Sequence, residues 1–328
     1  MMRKDSRMKN RIWLMTLVLL MGFLLSLFVG KYPLSMEALL TGEEQAMRVF
    51  LTLRLPRSCM AVLAGFGLGT AGMVYQTVFR NPLASPDIIG VSSGASAGAA
   101  FAILFLAGSS AAVMGSAFLG SMLAVALVLA LSSIAPEKGN ASIVLAGIAI
   151  HSLAQTILMG MKISADPEKE LASIEYWIMG SLNGITMDKL PVPFVLSAFC
   201  ISAVFLLHRQ VLLLSVEESE AALLGVSVEK MRLCILLLAT LTVAATVSVT
   251  GIISFVGLLA PHCARLMTKD NRIFSLWLSA LLGGSILCAA DILVRSAAAS
   301  ELPVSVFTSL LGAPFLIWLL WKRRDGNV

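Results

Sequence analysis

Apolar runs of about 17 to 23 residues alternate with short polar or proline-containing connections along the whole chain. A helix of this length crosses a hydrocarbon core of about 30 Å, because each residue adds about 1.5 Å. The pattern therefore predicts an all-α polytopic membrane protein with about ten transmembrane helices. The predicted spans lie near residues 12–30, 57–79, 89–107, 112–134, 141–162, 191–208, 229–249, 252–268, 275–296 and 305–321.

Composition agrees with this class. Of 328 residues, 58% are apolar and only 13% are charged, whereas roughly a quarter of residues are charged in soluble domains. Most Lys and Arg residues fall on the side that would also hold both termini, so the positive-inside rule predicts that both termini are cytoplasmic. The net charge of +5 then reflects membrane orientation, and no nucleic-acid partner is expected.

The order of the spans suggests one domain, 1–328, with an internal repeat. Spans two to five and seven to ten would form two groups of opposite orientation, because five spans separate their starts. The outer connections 31–56 and 163–190 are expected to hold short interfacial helices. On the inner side, the connection near 209–228 contains a cappable acidic helix, which would suit the docking of a cytoplasmic partner.

Residues 80–96 form a polar turn between two apolar runs. Two prolines within five residues exclude a continuous helix, and Arg80 favours the cytoplasmic side. We expect the next helix to begin near Ser85 or Asp87, either of which could cap it. Glycines spaced by four would let another backbone approach one face of that helix, and they are Gly90, Gly94 and Gly98.

The segment 90–94 also fits the G-x-S-x-G pattern of serine hydrolases. That nucleophile elbow follows a strand, whereas this segment follows a proline turn and opens an apolar helix. An intramembrane serine hydrolase, with Ser92 or Ser93 as nucleophile and His151 as base, is the alternative of another class. Helix packing is the preferred interpretation of the pattern.

Other catalytic and metal-binding motifs are missing from the sequence. The five cysteines form no Cys-x-x-Cys pair, and the chain has neither an H-E-x-x-H motif nor a G-x-x-x-x-G-K-[ST] phosphate loop. We therefore expect no cofactor on this chain, no enzymatic activity, and an energy source on a separate subunit. Asp291 and Arg295 lie one helical turn apart and are expected to neutralise each other.

Several ordered motifs together resemble the FecCD-type permeases of bacterial ABC importers, a family that includes vitamin B12, haem and iron-siderophore permeases. The resemblance covers nearly the whole chain. It rests on residues 53–57, 80–96, 177–182 and 255–258, on Pro261, His262 and Arg265, on Ala290, Asp291 and Arg295, and on residues 301–304 and 311–315.

The resemblance implies a permease in the bacterial cytoplasmic membrane that imports a chelated metal, most readily a ferric siderophore, with haem or cobalamin as alternatives. It also implies a homodimer, or a heterodimer with a close paralogue. Two cytoplasmic ATPase subunits, which bind ATP and Mg, and an extracytoplasmic solute-binding protein would complete the transporter.

Site residues follow from the matching motifs. The resemblance implies binding-protein docking at Arg54, Arg57 and Arg295. It implies a cytoplasmic gate at Asn81, Leu83, Asn140 and Ser142. It implies ATPase coupling at Glu217, Glu218, Ala221, Leu224 and Gly225. Two departures are notable: Glu217 replaces a usual glycine, and the loop 268–272 is shorter than the family pattern.

Overall fold

The computed structural model describes residues 2–135, 139–215, 228–268, 273–297 and 302–324, and the regular elements in these ranges are helices. The long helices are α1 (Met2–Phe28), α4 (Leu55–Val78), α5 (Val91–Phe105), α6 (Ser110–Ile134), α7 (Asn140–Ser164), α9 (Pro191–Leu206), α11 (Val228–Thr250), α12 (Val256–Thr268), α13 (Ile273–Ala297) and α14 (Val304–Arg324). The short helices are α2 (Met36–Leu40), α3 (Glu44–Val49), α8 (Ala172–Ile178) and α10 (His208–Leu213).

The predicted all-α membrane class is confirmed. Within the described ranges, six helices are long and apolar enough to cross a membrane, and Val91–Phe105, Pro191–Leu206 and Val304–Leu319 are shorter apolar helices. Each of the predicted spans overlaps one long helix. The inverted repeat remains a prediction.

Two ends of the bundle can be distinguished by their contacts. At one end, Arg11 near the start of α1 donates to the carbonyl oxygen of Met267 in the last turn of α12. At the other end, the backbone N–H of Val304 at the start of α14 donates to the carbonyl oxygen of Gly180 at 3.0 Å. We call the first the inner end, since both termini point to it, and the second the outer end.

Short helices in the outer connections were predicted, and the structure confirms them. α2 begins after Ser35, whose hydroxyl accepts from the backbone N–H of Ala38 at 3.0 Å. A single π-helical turn, Phe50–Arg54, joins α3 to α4 without a break. In the second connection Asp166 caps the turn Pro167–Leu171, which continues into α8.

Helix α4 forms the centre of the bundle and packs against α11, α12 and α13. Its glycines allow the close approach. A Cβ atom on Gly72 would lie 1.8 Å from the carbonyl oxygen of Gly257 in α12, which is far inside van der Waals contact. The backbones therefore touch where any side chain would separate them.

The predicted packing of the α5 glycines is also confirmed at two positions. A Cβ on Gly94 would lie 2.4 Å from the carbonyl oxygen of Gly120, and one on Gly98 would lie 2.1 Å from that of Ser116. Both partners belong to α6, so these glycines allow α5 and α6 to pack closely. Gly90 is different, because it precedes the helix.

The predicted cap of α5 is wrong. A 3₁₀ turn, Pro86–Ile89, follows Ser85, and Gly90 then adopts a left-handed φ of 75° before α5 starts at Val91. Ser85 makes no side-chain cap hydrogen bond, and the Asp87 carboxylate accepts from the Ser92 hydroxyl. Glycine suits this junction because it adopts positive φ at little cost.

Candidate functional site

A buried ionic cluster joins α4 to α13 at the outer end. Arg57 Nε donates to Asp291 Oδ1 at 2.9 Å, and Arg295 Nη2 lies 2.8 Å from Asp291 Oδ2. Asp291 is fully buried, while Arg57 and Arg295 are 8% and 4% exposed. The pairing of Asp291 with Arg295 was predicted, but the contribution of Arg57 was not. The Asp291 carboxylate thus forms ion pairs with two guanidinium groups.

The same cluster holds the end of α1. Arg295 Nη1 donates to the carbonyl oxygen of Ser26 at 3.0 Å, and its Nη2 donates to the Ser26 hydroxyl at 2.5 Å. That hydroxyl lies 2.7 Å from the hydroxyl of Ser58 on α4. Three helices are therefore tied together by charge-assisted hydrogen bonds, which are stronger than neutral ones.

Arg54 lies beside this cluster and contacts the segment after α1. Its guanidinium donates to the carbonyl oxygens of Val29 and Tyr32, the latter at 3.2 Å, and the residue is 7% exposed. The structure thus brings the three arginines predicted for docking to one end of the bundle. All three are largely buried by contacts within the chain, so their role in docking stays a prediction.

At the inner end, the predicted gate residues lie around the turn after α4. The Asn81 side-chain oxygen accepts from the backbone N–H of Leu83 at 2.9 Å, and the Asn81 carbonyl accepts from Ala84 at 3.0 Å. Arg80 starts this turn with a φ of 49°. The Leu83 side chain is half exposed, at 49%. The turn is therefore fixed by its own asparagine and presents a leucine to the surface.

Asn140 connects this turn to α7. Its side-chain nitrogen donates to the carbonyl oxygen of Val78, in the last turn of α4, at 2.7 Å. Ser142, two residues later in α7, lines a shallow pocket with Ile134 and Leu145. The structure brings Asn140 next to the turn that holds Asn81 and Leu83. Gating by these residues remains a prediction.

A polar link between α4 and α12 was not predicted. Arg265 Nη1 donates to the side-chain oxygen of Gln76 at 2.6 Å, and Gln76 donates onward to the carbonyl oxygen of Leu258 at 3.3 Å. Gln76 is almost fully buried. The sequence signal for this link was a glutamine within an otherwise apolar span. Buried polar groups in a membrane require hydrogen-bond partners, so Gln76 indicated a polar contact with another helix.

The chain also unwinds between α11 and α12. Helix α12 begins at Val256, four residues later than the predicted start of this span at residue 252. Gly251 and Phe255 both have φ of 67°, a region that a residue such as phenylalanine seldom adopts. The backbone here is held by neighbouring segments. Ser181 N–H donates to the Thr250 carbonyl at 2.7 Å, and the Ser305 hydroxyl donates to the Ile252 carbonyl at 2.6 Å.

Three of the motif segments meet at this break. Gly180 follows α8, Ser305 opens α14, and a Cβ on Gly312 would lie 2.4 Å from Cγ of Phe255. The unwound backbone is therefore packed against neighbouring segments of the chain. The break thus brings α8, α11, α12 and α14 into contact.

The serine-hydrolase alternative receives no support from the geometry. The Ser92 hydroxyl donates to Asp87, and the Ser93 hydroxyl donates to the Gly90 carbonyl at 3.0 Å. Each hydroxyl has a single proton, so neither donates to the ring of His151 as a catalytic serine would. The predicted coupling residues, Glu217, Glu218, Ala221, Leu224 and Gly225, lie outside the described residues, as does most of the loop 268–272.

The sequence is similar to known proteins along almost its whole length. The model of the FecCD transport family matches residues 18–322. The molybdate import system permease protein MolB of Haemophilus influenzae is 32% identical over 96% of each chain. The cobalamin import system permease protein BtuC of Halobacterium salinarum is 36% identical over 86% of this chain and 75% of its own. The hemin transport system permease protein HmuU of Yersinia pestis is 35% identical over 94% and 96%.

A solved structure agrees with this assignment. An ABC transporter described as of metal-chelate type, in an inward-facing conformation, superposes with a TM-score of 0.86 at 32% identity, covering 96% of this chain and 99% of the other. Such agreement over nearly the full length fixes both the fold and the family, which the sequence motifs had predicted. The chain therefore belongs to the FecCD transport family and is the multi-pass membrane permease subunit of an ABC importer.

Proposed function

We propose that this permease imports a ferric siderophore delivered by an extracytoplasmic binding protein. The observation that carries the proposal is the agreement with a metal-chelate transporter over 96% of the chain. The relatives named for molybdate, cobalamin and hemin differ widely in cargo, so the scaffold accepts several bulky or anionic solutes. Haem and cobalamin are the alternative cargoes.

The surface of α7 supports a pathway with little chemical selectivity. This helix exposes Ser152, Thr156 and Gly160 together with apolar side chains such as Leu145 and Ile148. An uncharged surface of small and aliphatic residues binds no cargo tightly, which suits transit. We infer that specificity is supplied by the binding protein, and that a second copy of the chain, or a close paralogue, completes the pathway.

Energy would come from two cytoplasmic ATPase subunits that bind ATP and Mg. Helix α10 and the start of α11 flank the segment 216–227 at the inner end, where the coupling residues Glu218 and Leu224 occur in the sequence. Closure of the ATPases would push on this segment. The dimer would then rock between outward-open and inward-open states as rigid bodies.

Docking of the binding protein is assigned to the outer end, around Arg54, Arg57 and Arg295. Acidic side chains of a partner would be attracted by these guanidinium groups, which steers association and fixes orientation more than it adds affinity. Because Arg57 and Arg295 also hold Asp291, Arg54→Gln is the cleaner probe. Unchanged binding-protein association at low salt in Arg54→Gln contradicts docking at this residue.

The cargo is tested by measuring the uptake of each candidate solute separately. The permease is reconstituted with its ATPase and binding protein, and uptake is measured with ferric siderophores, hemin, cobalamin and molybdate at equal concentration. We expect accumulation of a ferric siderophore alone. Accumulation of hemin or cobalamin with no ferric siderophore uptake overturns the iron assignment but leaves the permease assignment intact.

A further inference from the structure

A cleft of about 450 Å³ lies between α6 and α9, near their outer ends. Both helices pack along α11, and Ala245 of α11 lies at the floor. The walls are apolar and include Met114 and Phe118 of α6 and Val192 and Leu196 of α9. The volume falls within the roughly 300–1,000 Å³ range of small-molecule sites.

A second, more polar chamber of about 800 Å³ adjoins this cleft. The two cavities share Ser110, Met114, Lys189 and Ser248 as lining residues, so they lie next to each other. The chamber is bordered by Lys169 and Glu168 from the turn before α8. An apolar space thus lies directly beside a space with charged walls.

The helices on either side of the cleft expose large apolar side chains on their outward surfaces. Leu119 and Leu123 of α6 are 66% and 61% exposed, and Val195 and Phe199 of α9 are 66% and 67% exposed. Large apolar side chains exposed on membrane helices face acyl chains in the bilayer. We infer that lipid acyl chains can reach the cleft from the side.

We propose that the cleft and chamber form a binding site for one phospholipid with a zwitterionic headgroup, of the phosphatidylethanolamine type. One acyl chain occupies the cleft between α6 and α9. The phosphate lies against Lys189 and Lys169, and the ammonium group lies against Glu168 and Asp188. Both charges of the headgroup then meet opposite charges, which neither a fatty acid nor an anionic lipid would achieve as well.

The lysine and aspartate are suitably held for this role. Lys189 Nζ donates to the carbonyl oxygen of Gly184 at 2.9 Å, which keeps its ammonium group in the chamber. An aspartate is ionised at neutral pH, and a hydrogen bond from the side chain of Thr186 lowers the pKa of Asp188 further. Because lipid tails are equally apolar in bulk membrane, the selectivity of the site comes from its shape and its headgroup contacts.

The proposal is tested on the full-length permease, purified in mild detergent and supplied with phosphatidylethanolamine, by native mass spectrometry. Gly115→Phe should fill the cleft, because Gly115 lines it and no atom lies within 4 Å of a Cβ placed there. We expect roughly tenfold less retained lipid, because the phenyl ring would occupy the space of the acyl chain. Leu123→Phe, on the exposed surface of the same helix, is the control and should retain lipid as the wild type does.

A second variant tests the headgroup without altering the cleft. Lys189→Gln should weaken retention of phosphatidylethanolamine, whereas Arg48→Gln, on exposed α3, should not. Equal retention by Gly115→Phe and wild type, or equal retention of phosphatidylglycerol and phosphatidylethanolamine by the wild type, overturns the proposal. Thermal unfolding of each variant in parallel separates lost binding from lost folding.

Discussion

Arg57 on α4 and Asp291 on α13 form a buried ion pair at 2.9 Å, although 234 residues separate them in the chain. The same carboxylate holds Arg295, which in turn holds the end of α1. The outer end of the permease is therefore organised around one acidic side chain. Arg57 and Arg295, which we assign to partner docking, therefore also hold the helices of this end together.

Replacement of Asp291 by alanine should destabilise the permease strongly. Two buried guanidinium groups would lose their shared counter-ion, and removing one partner of a buried pair costs about 3–5 kcal/mol. We expect a large drop in the thermal unfolding temperature in detergent. Glu44→Ala is the matched control, because it removes an exposed pair with Arg48 worth about 0–1 kcal/mol. A similar unfolding temperature for both variants argues against the structural role of the cluster.

Gly72→Ala should disrupt the packing of α4 against α12. The added Cβ would meet the carbonyl oxygen of Gly257 at 1.8 Å, and backbone atoms cannot rotate away as a side chain can. Overpacking of this kind costs about 1–3 kcal/mol or more. Gly160→Ala adds the same methyl group where no atom lies within 4 Å. Yield and unfolding temperature should fall for Gly72→Ala only, and equal values for the two would contradict the contact.

Ser305→Ala tests the break between α11 and α12. The Ser305 hydroxyl donates to the Ile252 carbonyl at 2.6 Å, so its loss leaves an acceptor in the unwound segment without this donor, at a cost of about 1–3 kcal/mol. We expect lower stability and slower uptake in proteoliposomes. Ser296→Ala removes an exposed hydroxyl that bonds within its own helix and serves as control. Unaltered uptake in Ser305→Ala would contradict a role for this hydrogen bond in transport.

Glu218→Trp tests the coupling segment. A bulky side chain at the assigned contact should obstruct the ATPase, because the fit between the two subunits must be close for closure to move the permease. Uptake and binding-protein-stimulated ATP hydrolysis should both be lost, while the permease still folds and inserts. Glu37→Trp is the control, because it introduces the same side chain on helix α2, at the opposite end of the permease. Full stimulation in Glu218→Trp excludes coupling at this residue.

Hydrophobic run length was sufficient to predict most of the helices. The fourth span was expected at 112–134, and α6 occupies Ser110–Ile134. Run length reports helices well in membrane proteins because every backbone polar group in lipid must be satisfied within the segment. Glycine spacing likewise predicted the contact of Gly94 with α6, since close backbone approach has a periodic signature.

Features set by long-range contacts could not be predicted. The role of Arg57 depends on a partner on α13, and the unwinding around Phe255 depends on α14 and on the segment after α8. The start of α5 was misplaced, because Ser85 and Asp87 resemble caps while the left-handed Gly90 determines where the helix begins. Side-chain propensities describe local preference, and tertiary packing overrides them.

The central claim is ATP-driven import of a ferric siderophore through this chain. Its most direct test is uptake of a radiolabelled ferric siderophore into proteoliposomes that contain the permease, its ATPase and its binding protein, with ATP enclosed. The account predicts accumulation that stops when the binding protein is omitted or the ATPase carries a hydrolysis-blocking substitution. Equal accumulation in the presence of the blocked ATPase, or none under any of these conditions, would contradict it.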